Sequence, residues 1–416
     1  MFGAFNTFGK LGAIGKAIAA AWSPLSLWPD GIDSPGMWIS PRTLDSQWQD
    51  YTGTTPVATP GTVADSSNPV GLALDIRAGA TVLTDPGNHM LQSTSAARPL
   101  LSARVNLLAY TGDLSGWNKD AGVTITPNYG TAPDSTSTSV RVQFSGASMQ
   151  TWLTGLNGGG NPGILSVWVK GVAGETIQIA PDFSYPYTVT LTGAWQKVEN
   201  YSVIANAFSL HTYGGSTARD VEVWHPQFQL GLTATDYQPI LTDGSSYSST
   251  GFPIAQKYDG VDDGMATAAF SAGTLIDGMD CMIAVRRDSS ANTTLGLNQT
   301  NGGIPVFGFC AASVGDVTSF GCGTPTVWVD NVQLTGGTLV TQDTLHNAVT
   351  VGDWHIVEYR NLDMSSFTQA RFGSAYPGHL FTGPRGDIMF YPSTASTEDK
   401  DAARQWLADY YGVTLP

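Results

Sequence analysis

The sequence predicts a mostly β chain: two antiparallel β-sandwiches, with one helix at the N-terminus and a short one at the C-terminus. Composition is the first observation behind this. Charged residues make up only 13% of the chain, hydrophobic residues 42%, and there are 48 glycines. A disordered chain would be highly charged and poor in aromatics. This one suits many short strands joined by Gly, Ser, Thr, Asn and Asp turns, with Trp and Tyr filling the cores. The second observation is period-two alternation in short runs, as in Val123-Thr-Ile-Thr126, Leu165-Ser-Val-Trp-Val-Lys170 and Cys281-Met-Ile-Ala-Val285. The third is length, because 416 residues exceed what one ordinary core organises.

Taken in order, residues 1–30 read as an anchoring helix and linker. Phe5, Phe8, Leu11, Ile14, Ile18 and Trp22 recur at spacings of three and four, which puts them on one helical face. Gly9, Gly12 and Gly15 leave room for a second helix to approach. Ala19-Ala-Ala21 has the look of a signal-peptide cleavage site, but Lys16 interrupts the apolar stretch. No apolar run is long enough to span a bilayer, so stable membrane insertion is not expected. Pro24, Pro29 and Pro35 then end any helix.

Residues 31–104 read as short extended pieces of a first sandwich. Residues 105–240 form a separate unit, opened by Asn106-Leu-Leu108 and Trp117 and closed by Val221-Glu-Val-Trp-His-Pro-Gln-Phe-Gln-Leu-Gly231, Thr235 and Tyr237-Gln-Pro239. Residues 241–416 return to the first pattern, with strands at Cys281–Val285, Thr326–Val329, Trp354–Tyr359 and Gly386–Tyr391. Ser396 and Asp399 make a capping box for the last helix. Ala402, Ala403, Trp406, Leu407 and Tyr410 would line one face of it, and Gly412 would stop it.

Several of these pieces resemble a known family. Trp48-Gln-Asp-Tyr-Thr-Gly-Thr-Thr-Pro56, Pro69-Val-Gly-Leu72, Gly87-Asn-His89 and Gln92-Ser-Thr-Ser-Ala-Ala-Arg-Pro99 run in the order seen in phage and prophage proteins with a laminin-G/concanavalin-like β-sandwich. In those proteins the Arg-Pro is followed within a few residues by Phe-Asp-Gly-Val-Asp-Asp. Its counterpart here is Tyr258-Asp-Gly-Val-Asp-Asp-Gly-Met265, with residues 100–257 intervening. The ending Leu407-Ala-Asp-Tyr-Tyr-Gly-Val-Thr-Leu415 resembles their usual tail. The 105–240 unit in turn is similar to the jelly-roll, carbohydrate-binding-module-like domains of phage tail and capsid-associated proteins. It departs from them in having Gly231 after Gln229-Leu230, where they carry Glu. The resemblance implies one sandwich interrupted by another.

The charge balance excludes some partners. A net charge of −15, with no basic run, is unsuited to nucleic acid or an anionic membrane surface. Cys281, Cys310 and Cys322 have no metal-ligand spacing and cannot form a complete disulfide framework. The six histidines are scattered, without the spacing of a zinc helix. Retaining glycoside hydrolysis needs two carboxylates about 5 Å apart. Glu occurs only at 175, 199, 222, 358 and 398, with Glu222 and Glu358 each alone on their strands. The chain is therefore read as a non-enzyme. A carboxylate pair drawn from Asp263, Asp280 or Asp387 has no spacing to support it.

Asp259, Asp262 and Asp263 are the one carboxylate cluster that would suit calcium. The resemblance instead places them in a strand-entry turn, where Asp caps backbone amides, and no cofactor is otherwise expected. Sugar recognition needs exposed aromatic faces with hydrogen-bonding groups beside them. Trp152, Tyr185, Tyr187, Tyr213 and Trp224 are the candidates for the first, with Asn157, Asp182 and Asn206 for the second.

The resemblance implies a virion appendage, a tail or head fibre assembled in the host cytoplasm. Residues 1–30 would attach it to other virion proteins, and the sandwiches would bind host-surface polysaccharide. A homo-oligomer is expected, a trimer by analogy with other fibres. An assembly or decoration protein making only protein–protein contacts is the alternative, and a polysaccharide depolymerase a third.

Overall fold

The computed structural model describes residues 22–78, 88–154, 161–181, 186–202, 207–213, 217–269, 275–289, 293–297, 306–309, 323–334, 340–365, 367, 369–376 and 379–416. The expected N-terminal helix, Cys310 and Cys322 lie outside these residues. The chain is mostly β, with strands arranged in two sandwiches.

The larger sandwich is built on an eight-stranded antiparallel sheet. Its order is Val332–Gln333, Thr326–Val329, Trp354–Asp363, Asp277–Arg286, Thr382–Pro392, Ala255–Asp259 and Leu100–Ser102, with Met37–Ile39 also paired to Thr382–Pro392. Alternation decides the packing. Met279, Cys281, Ile283 and Val285 point into the core shared with the sheet Gln47–Trp48, Leu72–Ala73, Met90–Leu91, Met265–Thr267 and Arg371–Phe372. Met282 and Ala284 point the other way, beneath the C-terminal helix Thr397–Tyr411. Ser396 caps that helix by accepting from the Asp399 amide at 3.0 Å, and Gly412 ends it in the left-handed conformation.

Three features differ from the sequence reading. A further helix, Gln342–Ala348, forms where Thr341 accepts from the Thr344 amide and Leu345 enters the core. The C-terminal helix is rotated, burying Ala403, Arg404, Leu407, Ala408 and Tyr411 while Ala402, Trp406 and Tyr410 sit at its flanks. Residues 22–30, assigned to the anchor and linker, are built into the sandwich. Trp28 is buried, donates to the Phe390 carbonyl at 3.0 Å and stacks on Trp38. Trp22, counted with the attachment face, donates to Asp399 at 3.0 Å and packs with the same cluster.

The chain leaves the main sheet after Ser102 and re-enters it at Ala255. Between these points it forms the second sandwich, of two five-stranded sheets around a core that includes Leu165, Val167, Phe208, Leu210 and Phe228. The motifs that open and close this unit clasp each other. Gln238 Oε1 accepts from the amides of Val105 and Asn106, and its Nε2 donates to the carbonyls of Ala103 and Ser248. Asn106 accepts from Leu108 and Phe228 and donates to Pro226 and Gln238. Tyr247 accepts from the Ala103 amide and donates to Asp65, tying the crossing to the larger sandwich.

Candidate functional site

The two outer faces of the second sandwich differ in how their polar groups are satisfied. One face belongs to the sheet ordered Gln196–Ser202, Gly163–Gly171, Arg219–Leu230, Val140–Phe144 and Val123–Thr126. Because Val167 and Val169 point inward, Trp168 and Lys170 point out, opposite Trp224 and Glu222. Trp224 is 8% exposed, edge-on to Trp168, stacked on His225 and donating to Thr138 at 3.0 Å. Lys170 and Ser139 both donate to Glu222, at 2.8 and 2.7 Å. Burial pulls the His225 pKa down to about 4, so its ring is neutral in the stack between Trp224 and Tyr237. Trp224, Lys170, Ser139 and Glu222 of this central belt are thus each hydrogen-bonded.

The other face belongs to the sheet ordered Tyr187–Thr190, Thr176–Ala180, Ala207–His211, Gln150–Thr154 and Asn118–Lys119. Phe208 and Leu210 enter the core, so Ala207, Ser209 and His211 are directed outward. Register then assembles a polar row. His211 lies opposite Gln150 on one side and Gln178 on the other, and Gln178 lies opposite Thr188. In the next row Trp152 lies between Ser209 and Asn118. Directly opposed side chains in such a ladder sit about 5 Å apart.

This row is left incomplete. Gln150 Oε1, Gln178 Oε1, Ser209 Oγ and both ring nitrogens of His211 are buried and have no hydrogen-bond partner among the described residues. A buried polar atom in that state costs about 1–3 kcal/mol, so a cluster of them on one face calls for an explanation. His211 is desolvated and its pKa falls to about 4. At ordinary pH it offers one N–H donor and one acceptor nitrogen. The Tyr213 ring lies 4.8 Å from the His211 ring at 55°, and is 38% exposed. The row holds hydrogen-bonding groups of both senses, shielded from solvent, between two aromatic side chains, and it carries no charge.

The sequence candidates therefore separate. Trp152 and Tyr213 flank the polar row. Tyr187, 49% exposed, pairs with the inward-facing Ile179 and sits at the rim on the core-side parity. Trp224 is on the opposite face, held in an aromatic stack. Tyr185, Asp182, Asn157 and Asn206 lie outside the described residues, as do Phe5, Phe8, Leu11, Ile14 and Ile18. His211, Gln150, Gln178 and Ser209 were not singled out from the sequence. The signal was present only as parity, since Phe208 and Leu210 in the core send Ser209 and His211 outward.

Carboxylates elsewhere have structural partners. Glu358, 1% exposed, accepts two bonds from Arg404 and two from Arg360. Asp387 is held by Trp38, Tyr411 and Arg42, and Asp280 accepts from the Asn361 amide. Ligand atoms of Asp259, Asp262 and Asp263 come within 4.8 Å of one another. Asp259 accepts from the amides of Val261 and Asp262, and Asp263 from that of Asp259. Burial, with its two carboxylate neighbours, raises the Asp263 pKa to about 7. No helix among the described residues is long and apolar enough to cross a membrane.

No protein-family model and no curated protein matches the chain. Among solved structures it is similar to the CBM22-1 xylan-binding domain of Paenibacillus barcinonensis Xyn10C, at 16% identity and a TM-score of 0.23, over 31% of this chain and 96% of that one. The tandem CBM22-1–CBM22-2 domain of the same protein is similar over 69% of this chain and 97% of that one, at 11% identity and a TM-score of 0.22. At these values the likeness carries no functional argument, and the face described above stands on its own geometry.

Proposed function

We propose that the protein is a non-enzymatic glycan-binding protein whose second sandwich holds polysaccharide on the outer face of the Ala207–His211 sheet. The observation that carries this reading is the row of buried, unpartnered polar atoms on Gln150, Gln178, Ser209 and His211, flanked by Trp152 and Tyr213. Sugar hydroxyls donate and accept, so one ring can complete several of these bonds at once. An aromatic side chain supplies the apolar contact for the ring's C–H face.

Replacing both His211 and Gln178 with alanine is expected to weaken binding about tenfold or more, since each net hydrogen bond contributes roughly 0.5–1.5 kcal/mol. Folding stability should change less than binding, because the only side-chain hydrogen bond removed among the described residues is the 3.3 Å one from Gln178 Nε2 to Thr188 Oγ1. Tyr187→Ala should leave binding intact. Affinity electrophoresis against a panel of neutral polysaccharides, with melting curves alongside, makes the comparison. Unchanged retention of the double variant would end the proposal for this face. Binding of short oligosaccharides confined to this face should also be flat with pH until it approaches about 4, where His211 gains its second proton and loses its acceptor.

The setting we propose is an appendage of a tailed phage or related particle, supported by the family resemblance of Trp48–Pro56, Gln92–Pro99, Tyr258–Met265 and the C-terminal tail. Attachment would fall to the apolar stripe Phe5, Phe8, Leu11, Ile14 and Ile18. Trp22 and Trp28 belong to the sandwich, so the informative truncation removes residues 1–21 alone. That chain should keep the full-length melting temperature and fail to join particles. Normal incorporation would move the attachment point elsewhere.

A further inference from the structure

Beyond the polar row, the strand Gln150–Thr154 leads toward a cleft of about 650 Å3 between the two sandwiches. Thr154 has the same parity as Trp152, faces outward opposite Ala207, and is exposed. It is also part of the cleft wall, together with Leu153 and Tyr110 from the second sandwich. The facing wall comes from the larger sandwich and carries Lys257, Asp259 and Asp263. Two residues of strand, about 7 Å, separate Trp152 from that cleft.

Resting on the glycan reading above, we infer that the face and the cleft form one continuous site for a neutral polysaccharide chain, which runs from Trp152 across Thr154 to Lys257 and Asp259. Chemistry and shape support this together. Lys257 has no ion-pair partner among the described residues. Asp259 uses Oδ1 for the amides of its own turn. Asp65, Asp243, Asp259 and Asp263 line the cleft against Arg104 and Lys257, so its surplus of carboxylates disfavours an anionic polymer, while these groups donate to and accept from the hydroxyls of a neutral one. The cleft walls are also fixed relative to each other. Gly352 of the larger sandwich lies so close to Leu230 and Gly231 of the second that a Cβ there would stand 1.9 Å from the Gly231 nitrogen. Asn161 donates across the same junction to the Asp288 carbonyl at 2.9 Å. A cleft between rigidly joined walls loses little freedom on binding, so a chain long enough to enter it gains contacts at small entropic cost.

The test is a length series on the full chain. Xylo-, cello- and malto-oligosaccharides from dimer to octamer would be titrated by calorimetry into the native protein and into a Lys257→Met/Asp259→Asn variant. The best-bound series should show affinity rising at least tenfold between oligomers that fill the face and those that reach the cleft. In the variant that rise should vanish while the shorter oligomers bind as before. Thr154→Val, at the seam, should act in the same direction and serves as the second variant should the first melt early. A native protein whose affinity stops rising once the face is filled, or variants that keep the full rise, would overturn the continuous site and leave the face reading intact. Failure of every oligomer to bind would instead remove the face reading and this one with it.

Discussion

An Asp387→Ala chain is expected to lose about 3–5 kcal/mol of folding stability, the usual cost of stranding a buried charge. Asp387 is fully buried in the strand Thr382–Pro392. It accepts from Trp38 Nε1 at 2.9 Å and from the Tyr411 hydroxyl at 2.8 Å, and Arg42 Nε lies 3.3 Å away. Tyr411 in turn accepts from the Asp387 amide at 2.9 Å. One carboxylate thus joins the strand Met37–Ile39, the main sheet and the C-terminal helix. Its removal leaves Trp38 and Tyr411 without acceptors, and leaves Arg42, held over the Trp406 and Tyr410 rings, without its counter-charge. Asp387→Asn should cost less, because it keeps one acceptor oxygen and the packing. Urea unfolding followed by tryptophan fluorescence reads both variants. A loss below about 1 kcal/mol for the alanine variant would show that the network is not holding the helix.

Local patterns in the sequence were enough for the strands but not for the site. The alternation in Leu165–Lys170 and Cys281–Val285 is visible within a few residues, and both runs are strands of the expected parity. Asn106 and Gln238 were legible as the ends of one unit because each sits in a motif, although their mutual hydrogen bonds were not. The polar row is different in kind. Gln150, Gln178 and His211 come from three separate strands, and only the pairing register brings them side by side. Trp152 and Tyr213 lie beside that row, whereas strand parity places Tyr187, and the sheet it belongs to places Trp224, away from it. The C-terminal helix shows the same limit. Its apolar residues pointed to a face through Trp406 and Tyr410, whereas burial of Arg404 follows from Glu358, on a distant strand.

The second large effect is expected at the junction, from Gly352→Val. Gly352 has φ +88°, and its backbone is held to the larger sandwich by donation to the Arg287 carbonyl at 2.7 Å. A left-handed conformation costs a residue with a Cβ about 1–2 kcal/mol, and a β-branched side chain more. The added atoms would also meet backbone: the Gly231 nitrogen at 1.9 Å and the Leu230 carbonyl carbon at 2.3 Å. Those atoms end the long strand Arg219–Leu230 and cannot rotate away as a side chain could. The sandwiches must then separate locally, while each keeps its own core. Calorimetry should therefore show the cooperative transition broadening or splitting in two, and solution scattering a more extended particle. Binding of short oligosaccharides to the His211 face should survive, since that face is made within one sandwich. A single transition at the wild-type temperature would mean that the junction yields without cost, and that the two sandwiches are coupled mainly through Gln238 and Tyr247.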